Sequence, residues 1–416
     1  MRRSRSTFAF AFLGVAALLY LTLLARPAAL EDVYRTTKAT AQSLPVAGWD
    51  ASPDKKEDAG AAGTGDALKL PAPGALDQLK PGGSEKLSEA PLDLDMPLPT
   101  VDVATYKDHW PHNYNPSTPQ QYAYATYLST RNPSIRDPYF MALQNLIFRV
   151  LWSPRTRTLK YPFLVFVSPF VTEQQRALIS GAGAIVRDLP PLDWDPPASS
   201  AEHPIYARWK DNFSKLHMWN ETDFERFLFL DADAFPVTNI DAMFEIAAPR
   251  KCKAELLEAD DYALACGSPE DPHSYVFSAV PQGGSGGPVE VNVGAMVFST
   301  STDMYVRFLG NYQKYDRYVT HMADQGFMSW QFKQDGAFPA TLLDREWDGF
   351  FPKEEDKGKL KVLHEKLWAG STKGWLKEEW VSGWTEMVQW YEGTKFDWER
   401  KNDNQVKELL RWSVGH

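Results

Sequence analysis

Phe227-Leu-Phe-Leu-Asp231-Ala-Asp233-Ala-Phe-Pro-Val-Thr-Asn-Ile-Asp241 is the stretch on which the reading of this chain turns. An apolar run rich in Leu and Phe stops abruptly at two carboxylates spaced i, i+2. A short run of this kind predicts a fully buried strand of a parallel sheet. Asp231 then falls at the strand's carboxyl end, where open α/β sheets bind ligands. The chain turns after the strand, so Asp231 and Asp233 can both reach one hard cation. Oxygen ligands suit Mg²⁺ or Mn²⁺ held together with a substrate phosphate. Asp is also a common turn residue, so the pair needs its surroundings to carry a function.

Working outward, strand and helix alternate. Tyr122–Leu128, Tyr161–Val167, Ala184–Leu189 and the run at Phe227 read as strands. Asp137–Trp152, a helix capped by Thr172 with Gln175 in a capping box, and Arg208–Thr222 read as the helices between them. This order predicts an α/β domain with a mostly parallel central sheet flanked by helices. Further on, Asn239–Phe244 reads as a short helix and Tyr262–Cys266 as a strand. Glu290–Phe298 reads as a strand interrupted by Asn292 and Gly294. A glycine inside a strand marks a bulge or a close backbone approach to a ligand. Thr302–Tyr315 and the segment from His321 read as helices, and Trp398–Trp412 as a surface helix. Pro281–Pro288 is a glycine-rich loop; it lacks the Lys-Ser/Thr ending and following helix of a phosphate-cradling loop.

The chain has 416 residues, 44% hydrophobic, with 15 Trp. That is ample for one large domain. Its net charge of -10 argues against nucleic acid as a partner. Near the N-terminus, Arg2, Arg3 and Arg5 precede the uncharged run Phe8–Ala25. Runs of about 18 or more apolar residues are candidate membrane spans, longer than the core of a cleaved signal peptide. The expectation is a cytoplasmic tail at 1–7, a signal anchor at 8–25, a lumenal stem at 26–105 rich in Pro, Ala and Gly, and a catalytic domain at 106–416. Two features agree with a lumenal location. Asn212-Phe-Ser214 and Asn220-Glu-Thr222 are glycosylation sequons, and Cys252 and Cys266 are the only cysteines and can bridge in an oxidising compartment.

Lys215-Leu-His-Met-Trp219, then Phe227–Asp241, then Asn292-Val-Gly294, then Asp324-Gln325-Gly326 resemble, in order and spacing, the glycogenin-like family 8 type of glycosyltransferase. The resemblance covers roughly 120–380, and with the anchor and stem it looks like the fungal Golgi members, which include N-acetylglucosaminyltransferases. It implies a GT-A type, Rossmann-like domain that binds a UDP-sugar and Mn²⁺ (or Mg²⁺) and transfers the sugar, with retention, to a glycan acceptor. By this resemblance Asp231 and Asp233 would bind the metal, with Asp233 also near the donor ribose. Lys215 would contact the donor. Asn292, Asp324 and Gln325 would line the sugar pocket near the anomeric carbon. The family's third ligand is a His in His-x-x-Gly-x-x-Lys-Pro-Trp. Here His364 is followed by Gly370-Ser-Thr-Lys373-Gly374-Trp375, with three extra residues before Gly370 and Gly374 in place of Pro. The motif therefore supports Gly370 and Lys373, as pyrophosphate contacts, more closely than His364 as a ligand. UDP-N-acetylglucosamine is the first-choice donor and UDP-glucose or UDP-galactose the next.

Two other functions fit parts of the sequence. Strand-Asp-x-Asp also opens haloacid-dehalogenase-type phosphatases, but Ala234-Phe235-Pro236 departs from that motif, and here it follows three strands instead of opening the domain. A non-catalytic lumenal glycan-binding protein of the same fold would have no need of paired carboxylates.

Overall fold

The computed structural model describes residues 93–116, 121–197, 207–268, 270–282 and 290–403. The expected tail, anchor and most of the stem lie outside these residues, as do residues 283–289 of the glycine-rich loop. Among the described residues no helix is long and apolar enough to cross a membrane.

In chain order the regular elements are β1 (Gln121–Leu128), α1 (Pro138–Leu151), β2 (Phe163–Val167), α2 (Glu173–Gly181), β3 (Ile185–Asp188), a 3-10 helix (Ala207–Asn220), β4 (Phe224–Leu230), β5 (Ala234–Pro236), α3 (Met243–Ile246), β6 (Arg250–Lys251), β7 (Ser274–Tyr275), β8 (Phe277–Gln282), β9 (Glu290–Ser299), α4 (Thr302–Asn311), α5 (Ala323–Gln331), β10 (Thr341–Leu342), β11 (Gly349–Phe350), β12 (Val362–His364) and α6 (Trp375–Glu392). The main sheet has the order β10-β8-β9-β4-β1-β2-β3. Within it β9 runs against both its neighbours, and every other pairing is parallel. The α/β class with a mostly parallel central sheet is the one expected.

Side chains of a strand alternate between faces, and β4 shows the consequence. Leu228 and Leu230 join the core under α1 and α6, and Phe227 and Phe229 join the core on the other face, under the 3-10 helix, α4 and α5. Both faces are covered, so β2 is buried throughout and β4 almost so. Local signals start the helices. Asp137 caps α1 by accepting from the Phe140 N–H, with Pro138 at the first turn. Thr172 and Gln175 form the expected capping box on α2.

Four expectations need correction. The stem boundary at 105 is too late: Leu94, Met96 and Leu98 pack against the core, and the Arg136 guanidinium donates to the carbonyls of Leu94 (3.0 Å) and Met96 (2.7 Å). Tyr262–Cys266 is not a strand; Ala263–Cys266 forms a 3-10 turn, tied to Cys252 by the disulfide. Arg208–Thr222 is helical, but of the 3-10 type. The C-terminal helix is not confined to the surface. Residues 394–403 are helical, and Arg400 is fully buried, donating to the carbonyls of Gly181 (3.2 Å) and Trp110 (2.8 Å). The remainder of the expected tail helix, from 404, lies outside the described residues.

The disulfide Cys252–Cys266 closes a loop of sequence separation 14. Loops of that size stabilise by about 3 kcal/mol in the chain-entropy view.

One ion pair fixes β5, and so the segment after Asp233, to the helical layer. Arg149 on α1 is 1% exposed in its side chain. It donates to Glu379 of α6 at 2.7 Å, to Asn145 at 2.7 Å and to the Pro236 carbonyl at 3.1 Å. Gly383 leaves it room, because a Cβ there would lie 2.1 Å from its guanidinium. Arg149→Ala should destabilise the fold by about 3–5 kcal/mol, since it leaves buried acceptors without their cation. Arg155 binds the same Glu379 but its side chain is 42% exposed. Arg155→Ala should cost no more than about 1 kcal/mol. Denaturant unfolding of both variants measures the contrast; equal losses would contradict it.

Candidate active site

β4 ends at Leu230, and the Asp231 N–H donates to the Gly294 carbonyl of β9 at 2.7 Å. The Ala234 N–H returns to the Asp231 carbonyl at 2.9 Å, closing a turn that leads into β5. Asp231 and Asp233 therefore stand at the carboxyl end of the buried strand. β5 pairs antiparallel with β12, placing His364 opposite Ala234, and the Glu365 N–H donates to the Asp233 carbonyl at 3.1 Å. Strand pairing thus delivers His364 to the two carboxylates. One ligand atom from each of Asp231, Asp233 and His364 lies within 4.8 Å of the others.

The expected irregularity in β9 is present. The β8–β9 register shifts between Ala279 and Val280, opposite the stretch that contains Gly294. The close approach is by His364: a Cβ on Gly294 would lie 1.9 Å from the imidazole Cε1. Glycine is the residue that lets the ring rest against β9.

His364 sits between two acids. Its Nδ1 lies 3.0 Å from Asp348 Oδ1 and its Nε2 lies 3.5 Å from Asp233 Oδ1. With the Nδ1 proton given to Asp348, neutral imidazole presents a lone pair at Nε2 toward a carboxylate. Two acceptors face each other there unless a proton or a metal cation lies between them. The ionisation follows from this. Burial works against a charged His364, yet Asp348 and Asp233 hold its pKa well above the ordinary value. Burial would raise Asp233, but the His364 hydrogen bond and charge, with Lys366, hold it well below the usual carboxylate range. For Asp231 burial prevails over the attraction of Lys215 and the pKa rises. Two carboxylate oxygens and an imidazole nitrogen form a donor set that fits a divalent ion such as Mn²⁺ or Mg²⁺, which would take the place of the proton.

Lys215, from the 3-10 helix, is 5% exposed and bridges Asp231 Oδ1 at 2.9 Å and Asp324 Oδ2 at 3.0 Å. Burial alone would lower its pKa; the two carboxylates raise it above the ordinary lysine value. Asp324 opens α5 and also accepts from the Asn212 amide at 3.2 Å. Asn292 Oδ1 accepts from the Gly294 N–H at 2.9 Å, and its Nδ2 donates to Gln282 Oε1 at 3.2 Å. Gln325 Nε2 donates to the same Gln282 oxygen at 2.9 Å. The fold thus brings Asp231, Asp233, His364, Lys215 and Asp324 into one chain of contacts and links Asn292 with Gln325. Gly370 and Lys373 are exposed on the segment between β12 and α6. Gly374, where the motif has Pro, has φ +60°, which a proline ring cannot adopt.

Three residues escaped the sequence reading. Asp348 belongs to no motif; Gln282 lies in the glycine-rich loop, but nothing there marks it as a partner of Asn292 and Gln325. Asn212 was legible only as a sequon. Its amide is engaged with Asp324 and Ser214 is buried, whereas Asn220 of the second sequon is exposed and its amide oxygen accepts from the Thr302 hydroxyl at 3.0 Å.

No protein-family model matches the chain. An uncharacterized protein of Schizosaccharomyces pombe is 26% identical over 304 residues, 66% of this chain and 81% of that protein. Galactinol synthase 1 of Solanum lycopersicum is 29% identical over 211 residues, 49% of this chain and 61% of that protein. Galactinol synthase 6 of Arabidopsis thaliana is 26% identical over 228 residues, 53% and 65% respectively. The chain therefore spans somewhat under two thirds of the length of these two synthases. Among solved structures, the glycosyltransferase GlyE of Streptococcus pneumoniae aligns with TM-score 0.39 and 13% identity, over 65% of this chain and 63% of that one.

Gly294→Ala gives a test of the ring's placement. The methyl group must push the His364 imidazole off β9, so if the three side chains hold Mn²⁺, the variant should bind it about tenfold or more weakly than wild type while the sheet persists. A Mn²⁺ titration, with circular dichroism as the check on folding, reads the outcome; wild-type affinity would show that the contact does not set the ring.

Proposed function

We propose that this chain is a metal-dependent glycosyltransferase of the glycogenin-like type, moving a sugar from a UDP-sugar to a glycan acceptor with retention. The observation that carries this is the convergence of Asp231, Asp233 and His364 at the carboxyl end of β4, beside the Lys215–Asp324 pair. The similarity to galactinol synthases supports the class and favours UDP-galactose or UDP-glucose as donor. UDP-N-acetylglucosamine, the donor that the resemblance to the fungal members favours, gains no support from these relatives and ranks behind UDP-galactose and UDP-glucose.

In this reading Asp231, Asp233 and His364 hold the ion. Bound there, a divalent ion supplies positive charge for the diphosphate that departs as the sugar–phosphate bond breaks. Lys215 keeps Asp231 and Asp324 at a fixed separation, tying the metal side of the site to the sugar side. Asn292, oriented by the Gly294 N–H, and Gln325, oriented through Gln282, present amide groups to the donor sugar. Asp324 places a carboxylate near the anomeric carbon, where an oxocarbenium-like centre develops. Lys373 and Gly370 lie on the segment that would close over the pyrophosphate. We also assign the protein to a Golgi membrane, anchored by residues 8–25 with the catalytic domain in the lumen. The Cys252–Cys266 bridge supports an oxidising compartment.

The experiment is release of UDP from UDP-galactose, UDP-glucose and UDP-N-acetylglucosamine with added Mn²⁺. Asp231→Asn and Asp233→Asn keep shape but remove a charge that a hard cation needs, and each should lower turnover by about a hundredfold or more. Thermal melts should show both variants still folded at the assay temperature, although each loses an ion-pair partner of a buried cation (Lys215 for Asp231, His364 for Asp233) and melts below wild type. Near-normal turnover in either variant, or full activity in excess EDTA, would sink the proposal.

A further inference from the structure

We propose that Asp348 is the positioning residue of the third ligand: it fixes His364 in the tautomer and orientation that turn Nε2 toward Asp231 and Asp233. This rests on the metal reading of the site and adds to it a residue that no motif or resemblance singles out.

Asp348 follows a 3-10 turn (Arg345–Trp347) and immediately precedes β11, which runs parallel to β12 with Phe350 opposite His364. It is completely buried. One oxygen lies 3.0 Å from His364 Nδ1; the other is buried and, among the described residues, has no hydrogen-bond partner. A carboxylate taken out of water costs several kcal/mol, and a well-packed apolar residue of similar volume commonly does better for stability alone. Packing therefore gives no reason for an acid at this position. Among the described residues, the side chain that its carboxylate hydrogen-bonds is the imidazole that faces the two aspartates. Imidazoles that hold metals commonly donate their second N–H to a carboxylate, which selects the tautomer and fixes the ring.

The placement also answers the departure of this chain from the family motif. Three extra residues follow His364 before Gly370, while the contacts on the ring come from other segments of the chain. The ring is held from behind by Asp348 and from the side by the bare Cα of Gly294.

The test uses the full-length chain in detergent and the free Mn²⁺ signal in electron paramagnetic resonance. Asp348→Leu fills the buried space without an acceptor, and Asp348→Ala removes it; both should weaken Mn²⁺ binding by about 10–100-fold. Asp348→Asn keeps an oxygen that accepts from Nδ1–H and should retain most of the affinity. In turnover assays, the half-saturating Mn²⁺ concentration of the Leu variant should rise by the same factor, with kcat at saturating Mn²⁺ close to wild type. In a His364→Ala background, Asp348→Leu should change Mn²⁺ affinity no further, because its effect passes through the ring. Wild-type affinity in both Asp348→Leu and Asp348→Ala, or an undiminished loss in the His364→Ala background, overturns the inference. If Asp231→Asn loses Mn²⁺ while the Asp348 variants do not, the inference falls and the metal site stands. A wild-type chain that binds no Mn²⁺ removes both.

Discussion

The backbone of Gly294 is where the parts of this site meet. Its carbonyl accepts from the Asp231 N–H, its N–H donates to the Asn292 side chain, and its missing Cβ leaves the space that the His364 ring fills. The first contact sets where β4 stops and its carboxylates begin. The second aims the Asn292 amide, which we propose faces the donor sugar. The third admits His364, the proposed third ligand, from a different sheet. These demands fall on one residue because β9 bulges at this point, exposing both backbone groups of Gly294 to side chains and chain ends. A larger residue could satisfy the two hydrogen bonds but not the close approach.

Charge balance follows from that geometry. Asp231, Asp233, Asp324 and Asp348 crowd a space in which Lys215 and His364 are the principal buried cations, with Lys366 at the edge, 3.5 Å from Asp233. Such a cluster is costly to build and weak as a source of stability. It is well suited to taking up a further positive charge. The arrangement differs from the Arg149–Glu379 pair, where donors and acceptors are matched and tie α1, α6 and β5 together. One buried network braces the fold; the other leaves a cation's place between Asp233 and Nε2 of His364.

Much of this was legible because the signals are local. An apolar run ending in Asp-x-Asp gives a buried strand and its carboxyl end. Strand–helix alternation gives a parallel sheet, and Asp137 and Thr172 give helix starts. Gly294 in a β pattern announced the bulge; the close approach expected there was to a ligand, and the structure puts the His364 side chain in that place. What stayed hidden depends on pairing between distant segments. Asp348 and Gln282 acquire meaning only when β11 lies beside β12 and β8 beside β9. Tyr262–Cys266 read as a strand because its residues suit one, but it has no neighbouring strand in the main sheet, and the disulfide holds it as a turn. The Arg400 helix read as surface because its charges are dense; five carbonyl and carboxylate acceptors within reach let a guanidinium be buried there.

The His364 segment shows how spacing can mislead. Counting residues downstream of the histidine made it the weakest member of the proposed ligand set, because the interval to Gly370 is three residues too long. Yet the histidine's position is determined upstream of that interval. Val362, Leu363 and His364 pair with Pro236, Phe235 and Ala234, and the Glu365 N–H binds the Asp233 carbonyl. An insertion after residue 365 leaves those pairings untouched. Its consequences fall instead on what comes later: Gly370 and Lys373 on an exposed stretch, and Gly374 in a left-handed conformation at the start of α6. A helix entry at positive φ excludes proline, so glycine where the motif has Pro agrees with the way the chain enters α6. The motif's departure therefore bears on the reach of Lys373 and leaves the placement of His364 to the strand that carries it.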